Sequence, residues 1–174
     1  MVEPKEWKEW LNEKRFELLF NALVDSYTEP LYWQARKLVS RHDLADDVLQ
    51  DSFISAWKAL PKFKGESNFY TWLFRIICNQ SFACLKKEKR YTEIDGSSIA
   101  SLNGDPFFNG EQALLDLHKA VAALPVKQQL VFKLRYFEEM PYAQICSVLE
   151  TSQGALKASY HHAKEKIKKS FHLD

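Results

Sequence analysis

Residues 141–167 read PYAQICSVLETSQGALKASYHHAKEKI. The stretch predicts a short helix over 141–149, a tight turn, and a longer helix over 153–173 that begins after Ser152, a favourable N-cap residue. This is the layout of a helix-turn-helix, in which the second helix lies in the major groove of DNA. The end of the chain is therefore predicted to bind DNA. The residues before it must indicate which kind of DNA-binding protein this is.

The second helix of this stretch carries a polar and cationic stripe. At 100° per residue, an arc of about 80° holds five side chains: Gln153, Lys157, His161, Lys164 and Lys168. Gln and Lys near a helix start suit base edges, and later lysines suit phosphates. A solvated cationic face is the alternative, but the preceding short helix and turn favour DNA contact.

The neighbouring arc of this helix is apolar and would pack on the preceding helices; it comprises Leu156, Tyr160, Ala163 and Ile167. The adjacent His161 and His162 point about 100° apart, unlike two ligands spaced i,i+4. We therefore expect no zinc site and no metal.

Charge is distributed unevenly along the 174 residues, although the net charge is only +1. Residues 1–61 sum to −3, residues 62–90 to +5 and residues 111–174 to +2, while residues 91–110 hold three acids and no base. An acidic front half, a basic patch and a basic end indicate surfaces that meet different partners.

The three cysteines, Cys78, Cys84 and Cys146, have no CxxC spacing and fall within apolar helical patterns. Free thiols of this kind are typical of a reducing cytoplasm. The N-terminus, MVEPKEWKEW, is charged and lacks the apolar core of a signal peptide. No run approaches the roughly 18 apolar residues of a membrane span, so a cytoplasmic location without membrane insertion is expected.

Periodicity predicts helices almost throughout the first half. We place them over 4–26 and 31–40, then from Asp43, a good N-cap residue, to Leu60, with Pro61 as the stop. A fourth helix starts near Asn68. The predicted cap of this helix is Ser67, and two of its core residues are Phe69 and Leu73. The apolar face predicted for the third helix consists of Leu44, Val48, Phe53, Trp57 and Leu60.

Residues 90–110 contain three of the five glycines and show no sustained periodicity, which predicts a flexible linker. Helices are predicted again over 111–124 and 126–137, ahead of the helix-turn-helix. The expected fold is all-α, with two small helical domains at 1–89 and 111–174.

Two segments closely resemble those of one known family. LADDVLQDSFISAWKALPKFKGESNFYTWLFRIICNQ, residues 44–80, resembles region 2 of bacterial sigma factors of the extracytoplasmic-function type. ALPVKQQLVFKLRYFEEMPYAQICSVLETSQGALKASYHHAKEKI, residues 123–167, resembles region 4 of the same family. Its motifs D-x-x-Q-[DE]-x-F, F-[KR]-G-[ED]-[ST], T-W-L-[FY]-R-I and L-[RK]-Y-F-E are each modest but jointly specific. The ending GALKASYHHA is similar to members from the Bacteroidetes.

The resemblance implies a transcription initiation factor that binds core RNA polymerase and promoter DNA. Region 2 of the family grips a coiled coil of the largest polymerase subunit, here through Asp47, Gln50 and Asp51. It also melts and reads the −10 element by trapping a flipped base. The matching surface comprises Phe63, Lys64, Asn68, Tyr70, Trp72, Arg75 and Asn79. Aromatic side chains among cations suit such a surface, because they replace lost base stacking.

Region 4 of the family reads the −35 element as duplex and docks on the polymerase flap. The matching duplex contacts are Gln153, Lys157, Ser159, His161, His162 and Lys164. Glu150 stands where the family's turn usually has Gly, and Cys146 where it has a small residue, so the turn geometry is expected to differ slightly. Several family arginines are absent from the recognition helix, so the preferred promoter sequence does not carry over.

An anti-sigma factor is a further partner that the resemblance implies. Two other interpretations remain. A helix-turn-helix regulator that never binds polymerase explains the C-terminus but not FKGESNFYTWLFRI. An enzyme with a D-D-x-x-x-D motif at Asp46, Asp47 and Asp51 would need a second acidic cluster, which the sequence lacks. No nucleophile with a base and no phosphate-binding glycine loop is present. We therefore expect no enzymatic activity, no cofactor and no small-molecule substrate.

Overall fold

The computed structural model describes residues 4–95 and 112–171, in which it has eight α-helices and no strand. The first four are α1 Lys5–Asn12, α2 Phe16–Val39, α3 His42–Ala59 and α4 Phe69–Asp95. The next four are α5 Gln112–Ala122, α6 Val126–Phe132, α7 Tyr142–Leu149 and α8 Gln153–Ser170. A 3₁₀ turn, Leu60–Lys62, follows α3, and a π-helical turn, Lys133–Phe137, follows α6. The predicted all-α class is confirmed.

The first two helices divide the chain differently from the prediction. A helix break between residues 26 and 31 is wrong, because α2 runs straight through Pro30. The break lies instead at residues 13–15, where Lys14 adopts a φ of 58°. Tyr27 and Leu31, which flank the proline, are each 1% exposed. Their burial holds the helix together despite the one backbone hydrogen bond that proline removes.

Helix starts are set by side chains that the sequence only partly indicates. The predicted Asp43 cap is wrong: α3 begins at His42, and the Asp43 carboxylate instead pairs with the Arg41 guanidinium. The hydrogen bond from Arg41 lowers the pKa of Asp43. At α4 the cap is Asn68 rather than Ser67, because its Oδ1 accepts a 2.7 Å hydrogen bond from the Thr71 amide. The Ser152 cap of α8 is confirmed.

The end of α4 lies beyond the predicted start of the linker. The helix continues to Asp95, so residues 90–95 are helical. The remainder of the predicted linker, 96–110, lies outside the described residues. The division of the chain at 89 and 111 thus stays a prediction.

Two buried apolar clusters hold the fold together. The larger joins residues of α2, α3 and α4 to residues of α6, α7 and α8, so it is continuous between the two helical units. Phe69 and Leu73 belong to it, as predicted. The smaller lies within the second unit and contains Val121, Leu124, Phe132, Ala163 and Ile167. The units therefore lie against each other, with α4 packed on α6 and α7.

All three cysteines are free thiols, as predicted. Cys78 is fully buried, and burial raises the pKa of its thiol. Cys84 and Cys146 are half-buried. Buried and partly buried thiols of this kind behave as small apolar side chains.

Candidate nucleic-acid and protein interfaces

Phe63 closes the loop ahead of α4 and is anchored by two aromatic rings. Its ring centroid lies 5.0 Å from that of Phe69 and 4.8 Å from that of Trp72. Phe69 is a core residue, so the loop ring is fixed to the rigid part of the unit. Phe63 itself is partly buried, and the part of the ring that stays accessible is what a stacking platform requires.

The outer face of α4 brings together three of the seven side chains predicted for the −10 element. Trp72, Arg75 and Asn79 lie at i, i+3 and i+7, and therefore on one side of the helix. The same line continues to Lys86 and Arg90 further along α4, roughly 27 Å from Trp72 at 1.5 Å per residue. Aromatic, amide and cationic groups thus follow one another along a single helix face.

Tyr70 does not lie on this face. It points toward α2, with its ring centroid 5.6 Å from that of Tyr27. It lines an open cavity of about 360 Å³ between the two units, together with Glu138 and Ser147 of the second unit. Burial raises the pKa of the Tyr70 phenol.

Arg75 is engaged by the second unit. Its Nη2 donates a 3.4 Å hydrogen bond to Ser147 Oγ of α7. Its Nε is buried without a hydrogen-bond partner among the described residues. The Arg75 guanidinium therefore leaves one of its donors unused where it packs between the units.

Asp47, Gln50 and Asp51 are exposed side by side on the outer face of α3, as predicted. The same face continues with two apolar side chains, Ile54 at 52% and Trp57 at 45% exposure. The assignment of Trp57 to the buried face is therefore wrong. Half of the ring remains in solvent, while Phe20 of α2 packs on the rest at 5.1 Å between ring centroids.

The apolar part of this face could have been predicted from spacing. Ile54 follows Gln50 by four residues and Asp51 by three, so all three share one side of the helix. Trp57 follows Gln50 by seven. Exposed apolar residues next to carboxylates indicate an interface core with a charged rim.

The stripe on α8 is exposed at Gln153, Lys157, His161 and Lys164, as predicted. Ser159 and His162 lie at least 120° away from the centre of the stripe on the helical wheel. The helix thus does not bring these two side chains onto the stripe. The buried side contains Leu156, Ala163 and Ile167, which confirms the predicted packing arc.

Aromatic rings support the cations of the stripe. The Lys157 ammonium lies 5.9 Å from the centre of the Tyr142 ring, and Arg135 lies 5.4 Å from the same ring. Lys164 lies 5.9 Å from the centre of the Tyr160 ring. Such contacts restrict long side chains and reduce the entropy lost when they bind a phosphate.

The turn ahead of α8 contains a strained residue. Glu150 adopts the left-handed conformation, with φ 48° and ψ 44°. A residue with a Cβ pays about 1 kcal/mol there, and glycine would not. The turn between α7 and α8 nonetheless forms with Glu150 in the left-handed conformation.

Among the residues that the structure describes, none group into a cluster of His, Cys, Asp or Glu able to hold a metal ion. Within the same residues, no helix is long and apolar enough to cross a membrane.

These features define a class before any comparison: an all-α protein with a helix-turn-helix at its end and an aromatic, cationic helix face ahead of it. Comparison with family models then gives two matches, "Sigma-70 region 2" over residues 23–91 and "Sigma-70, region 4" over residues 114–167. The chain belongs to the sigma-70 family of RNA polymerase sigma factors, in its extracytoplasmic-function group.

Curated relatives agree with this assignment over most of their length. RNA polymerase sigma-H factor of Pseudomonas aeruginosa is 29% identical over 167 residues, which cover 87% of this chain and 85% of that protein. The extracytoplasmic-function factor SigW of Bacillus subtilis is 25% identical over 164 residues, 86% of this chain and 87% of that one.

Solved structures share the fold. The sigma factor RpoE of Bartonella quintana, in complex with the anti-sigma factor NepR, is 26% identical with a TM-score of 0.64. The match covers 89% of this chain and 98% of that one. CnrH, in complex with the cytosolic domain of CnrY, is 24% identical with a TM-score of 0.55, and covers 88% and 87% of the two chains.

Proposed function

We propose that this chain is a transcription initiation factor that binds core RNA polymerase and directs it to promoters with both a −10 and a −35 element. The observation that carries the proposal is the match to regions 2 and 4 in the family's order, on two helical units with complementary exposed surfaces. The alternative, a helix-turn-helix regulator that never binds polymerase, is not favoured, because it leaves the first unit without a function.

The first unit, residues 1–89, melts and reads the −10 element. Phe63 and Asn79 form the base pocket, Trp72 stacks, and Lys64 and Arg75 hold the backbone. Asn68 contributes by capping α4 and so fixing the loop. Tyr70 joins the surface only when the second unit moves away from α4.

The second unit, residues 111–174, reads the −35 duplex with α8. Gln153 and Lys157 lie in the first turns of the helix, where side chains reach base edges. His161 and Lys164 lie further along and contact phosphates. Ser159 and His162 remain assigned to duplex contact by the resemblance alone, because they lie off the stripe.

Polymerase binding is assigned to α3. Asp47, Gln50 and Asp51 face a basic partner helix of the largest subunit, and Ile54 with Trp57 supply the apolar centre of that contact. The second unit docks on the flap. Charged groups set orientation, while the exposed rings and branched side chains contribute most of the affinity.

The factor acts in the cytoplasm, without catalytic chemistry, cofactor or small-molecule substrate of its own. It gives the polymerase its specificity for promoter sequences. An anti-sigma factor is its natural regulator, since the Bartonella relative is found in complex with one.

Run-off transcription with purified core polymerase from a related bacterium tests the proposal. A library of promoter fragments serves as the template, with and without the protein. Start sites that appear only when the protein is added would support it and would reveal both promoter elements. Duplex binding without polymerase binding or initiation would favour the regulator instead.

A further inference from the structure

Trp7 is the buried residue of α1, and its ring contacts two other rings of the first unit. The side chain is 6% exposed. Its ring centroid lies 5.7 Å from that of Tyr27 in α2, at an interplanar angle of 82°. It also lies 5.9 Å from the centroid of Phe69, at an angle of 70°. Both are edge-to-face contacts, an arrangement that aromatic rings prefer and that fixes their relative orientation.

The contact with Phe69 connects α1 to the loop assigned to the −10 element. Phe69 is the first residue of α4 and is 2% exposed. The Phe63 ring of the loop packs on Phe69, and the Trp72 ring packs on Phe63. Four rings therefore form a continuous series of contacts, which runs from α1 through the start of α4 to the surface assigned to base stacking.

The helix that carries Trp7 depends on this packing. A helix of eight residues is not stable alone in water, since isolated helices shorter than about 12–15 residues are marginal. Trp10 and Leu11 of α1 are partly buried and pack against the same apolar cluster as Trp7. The helix also lies ahead of the segment that matches region 2, residues 23–91. It is thus an addition to that segment, held on it by apolar side chains.

The turn between α1 and α2 fixes the direction from which Trp7 approaches. Lys14 adopts a φ of 58°, and its amide donates a 3.2 Å hydrogen bond to the Leu11 carbonyl. The Arg15 amide donates a 2.8 Å hydrogen bond to the Trp10 carbonyl. These bonds satisfy carbonyls that the end of a helix leaves without partners. The turn therefore sets α1 against α2 in a defined orientation, with Trp7 directed at the core.

The position of Phe63 matters because a pocket that is formed in advance loses less entropy when a flipped base enters it. Phe63 lies on a loop, between the 3₁₀ turn Leu60–Lys62 and the Asn68 cap of α4. Its ring packs on Phe69, and Phe69 packs in turn on Trp7. A displacement of Trp7 would therefore be transmitted to the loop ring through Phe69.

We propose that Trp7 is a positioning residue for −10 recognition, and that α1 holds the base pocket in its binding geometry. This rests on the proposed function. Trp7 is buried and acts through Phe69 on the Phe63 ring, rather than by contact with DNA. The polymerase surface on α3 and the −35 stripe on α8 lie outside this series of rings, so they do not depend on Trp7.

Hydrogen exchange of the free chain tests the anchoring without any assay of function. We expect the amides of residues 62–68 to exchange at least about fivefold faster in Trp7→Ala than in Trp10→Ala. Trp10→Ala is the matched control, because it removes a tryptophan from the same helix but neither ring contact of Trp7. Trp7→Phe keeps a ring at Phe69 and should exchange like the native chain. Equal exchange in the two alanine variants would overturn the anchoring.

Promoter opening by the complete holoenzyme tests the consequence, with permanganate reactivity of the −10 element followed over time. We expect Trp7→Ala to slow opening about tenfold, because the pocket is no longer formed in advance. Trp7→Phe should restore most of the native rate, and Trp10→Ala should open at that rate. Binding to core polymerase and to a −35 duplex should stay native in all three variants. Equal losses of opening and of polymerase binding in Trp7→Ala would overturn the positioning role.

A double-mutant cycle separates positioning from a general loss of stability. If Trp7 acts through the Phe63 ring, Trp7→Ala should slow opening little further once Phe63→Leu has removed that ring. Additive losses would overturn the proposal. Trp7→Leu, which keeps apolar volume without a ring, takes the place of Trp7→Ala if the alanine variant does not fold. Absence of opening with the native chain would instead defeat the proposed function, while hydrogen exchange still decides whether Trp7 anchors the loop.

Discussion

Gly65 and Gly154 differ in whether the local backbone conformation requires a glycine. Gly65, in the loop before α4, adopts a φ of +72°, a conformation that L-residues rarely take. Gly154 lies in the first turn of α8 with ordinary helical dihedrals, and a Cβ added there meets nothing within 4 Å. The loop glycine is thus required for its conformation, whereas the helix glycine is a cost to stability.

Alanine at the two positions should therefore act in opposite directions. We expect Gly154→Ala to raise the free energy of unfolding by about 0.5–1 kcal/mol, and Gly65→Ala to lower it by about 1 kcal/mol. Urea unfolding followed by circular dichroism measures both. If Gly154→Ala proves destabilising, the described geometry at the start of α8 is not the one in solution.

Phe63 and Lys157 separate the two DNA contacts at the level of single residues. Lys157→Ala should weaken binding of a −35 duplex, because it removes a cation held over Tyr142. Phe63→Ala should impair promoter opening and leave duplex binding intact. Mobility shifts with a −35 duplex and permanganate footprinting of the −10 element distinguish them.

Phe63→Ala also removes ring contacts with Phe69 and Trp72, so its thermal unfolding must be measured in parallel. Phe63→Leu keeps apolar volume without a stacking ring and is the matched comparison. Equal loss of duplex binding in the Phe63 and Lys157 variants would contradict the division of labour between the units.

At the scale of a helix, the outer face of α3 is expected to bind polymerase through charge and apolar area together. Asp51→Lys should weaken binding to the core enzyme at least tenfold, because it places a cation opposite a basic partner. The free energy of unfolding should not change, since Asp51 is exposed. Asp25→Lys, at an exposed position of α2, is the control, and equal losses in both variants would argue against a specific face.

The identity and order of the helices were predictable because their apolar residues recur with helical periodicity. Their boundaries were less so. Pro30 signals a break in a single helix considered alone, but neighbouring helices bury Tyr27 and Leu31 and keep α2 continuous. Asp43 is a favourable cap residue until Arg41 competes for its carboxylate. In both cases a contact with another part of the structure overrides the preference of the single residue, and that contact cannot be inferred from the residue alone.

Candidate sites were predictable wherever a face could be inferred from spacing. The stripe on α8 and the carboxylates of α3 are exposed as their spacing requires. The Nζ of Lys133 donates a 2.6 Å hydrogen bond to the carbonyl of Leu38. This burial was not predictable, because the acceptor lies at the end of another helix. Nothing in the pattern of residues 126–137 distinguishes its side chain from an exposed lysine.

At the scale of the whole molecule, stability should depend on pH through Lys133, which is 3% exposed. Burial lowers the pKa of Lys133 from 10.5 to about 7. Between these values the unfolded chain holds a proton that the native chain tends to release, so the free energy of unfolding rises with pH. Below pH 7 both states are protonated, and the dependence from Lys133 ends.

Arg36 from α2 and His118 from α5 are the charged or titratable groups that act on Lys133 from neighbouring elements. Burial and the charge of Lys133 lower the pKa of His118 from 6.5, so it titrates outside the window above pH 7. Urea unfolding should give a higher free energy of unfolding at pH 9 than at pH 7, and Lys133→Met should abolish the difference. An unchanged difference in that variant would assign the effect to another group.

The larger buried cluster, shared by both units, also determines how the chain responds to heat. Helices that share one core cannot melt separately, so the native chain should give a single calorimetric transition. The smaller cluster around Phe132 lies wholly within the second unit. Two transitions would mean that the units do not share one core in solution, so calorimetry reports directly whether this initiation factor is one cooperative body or two.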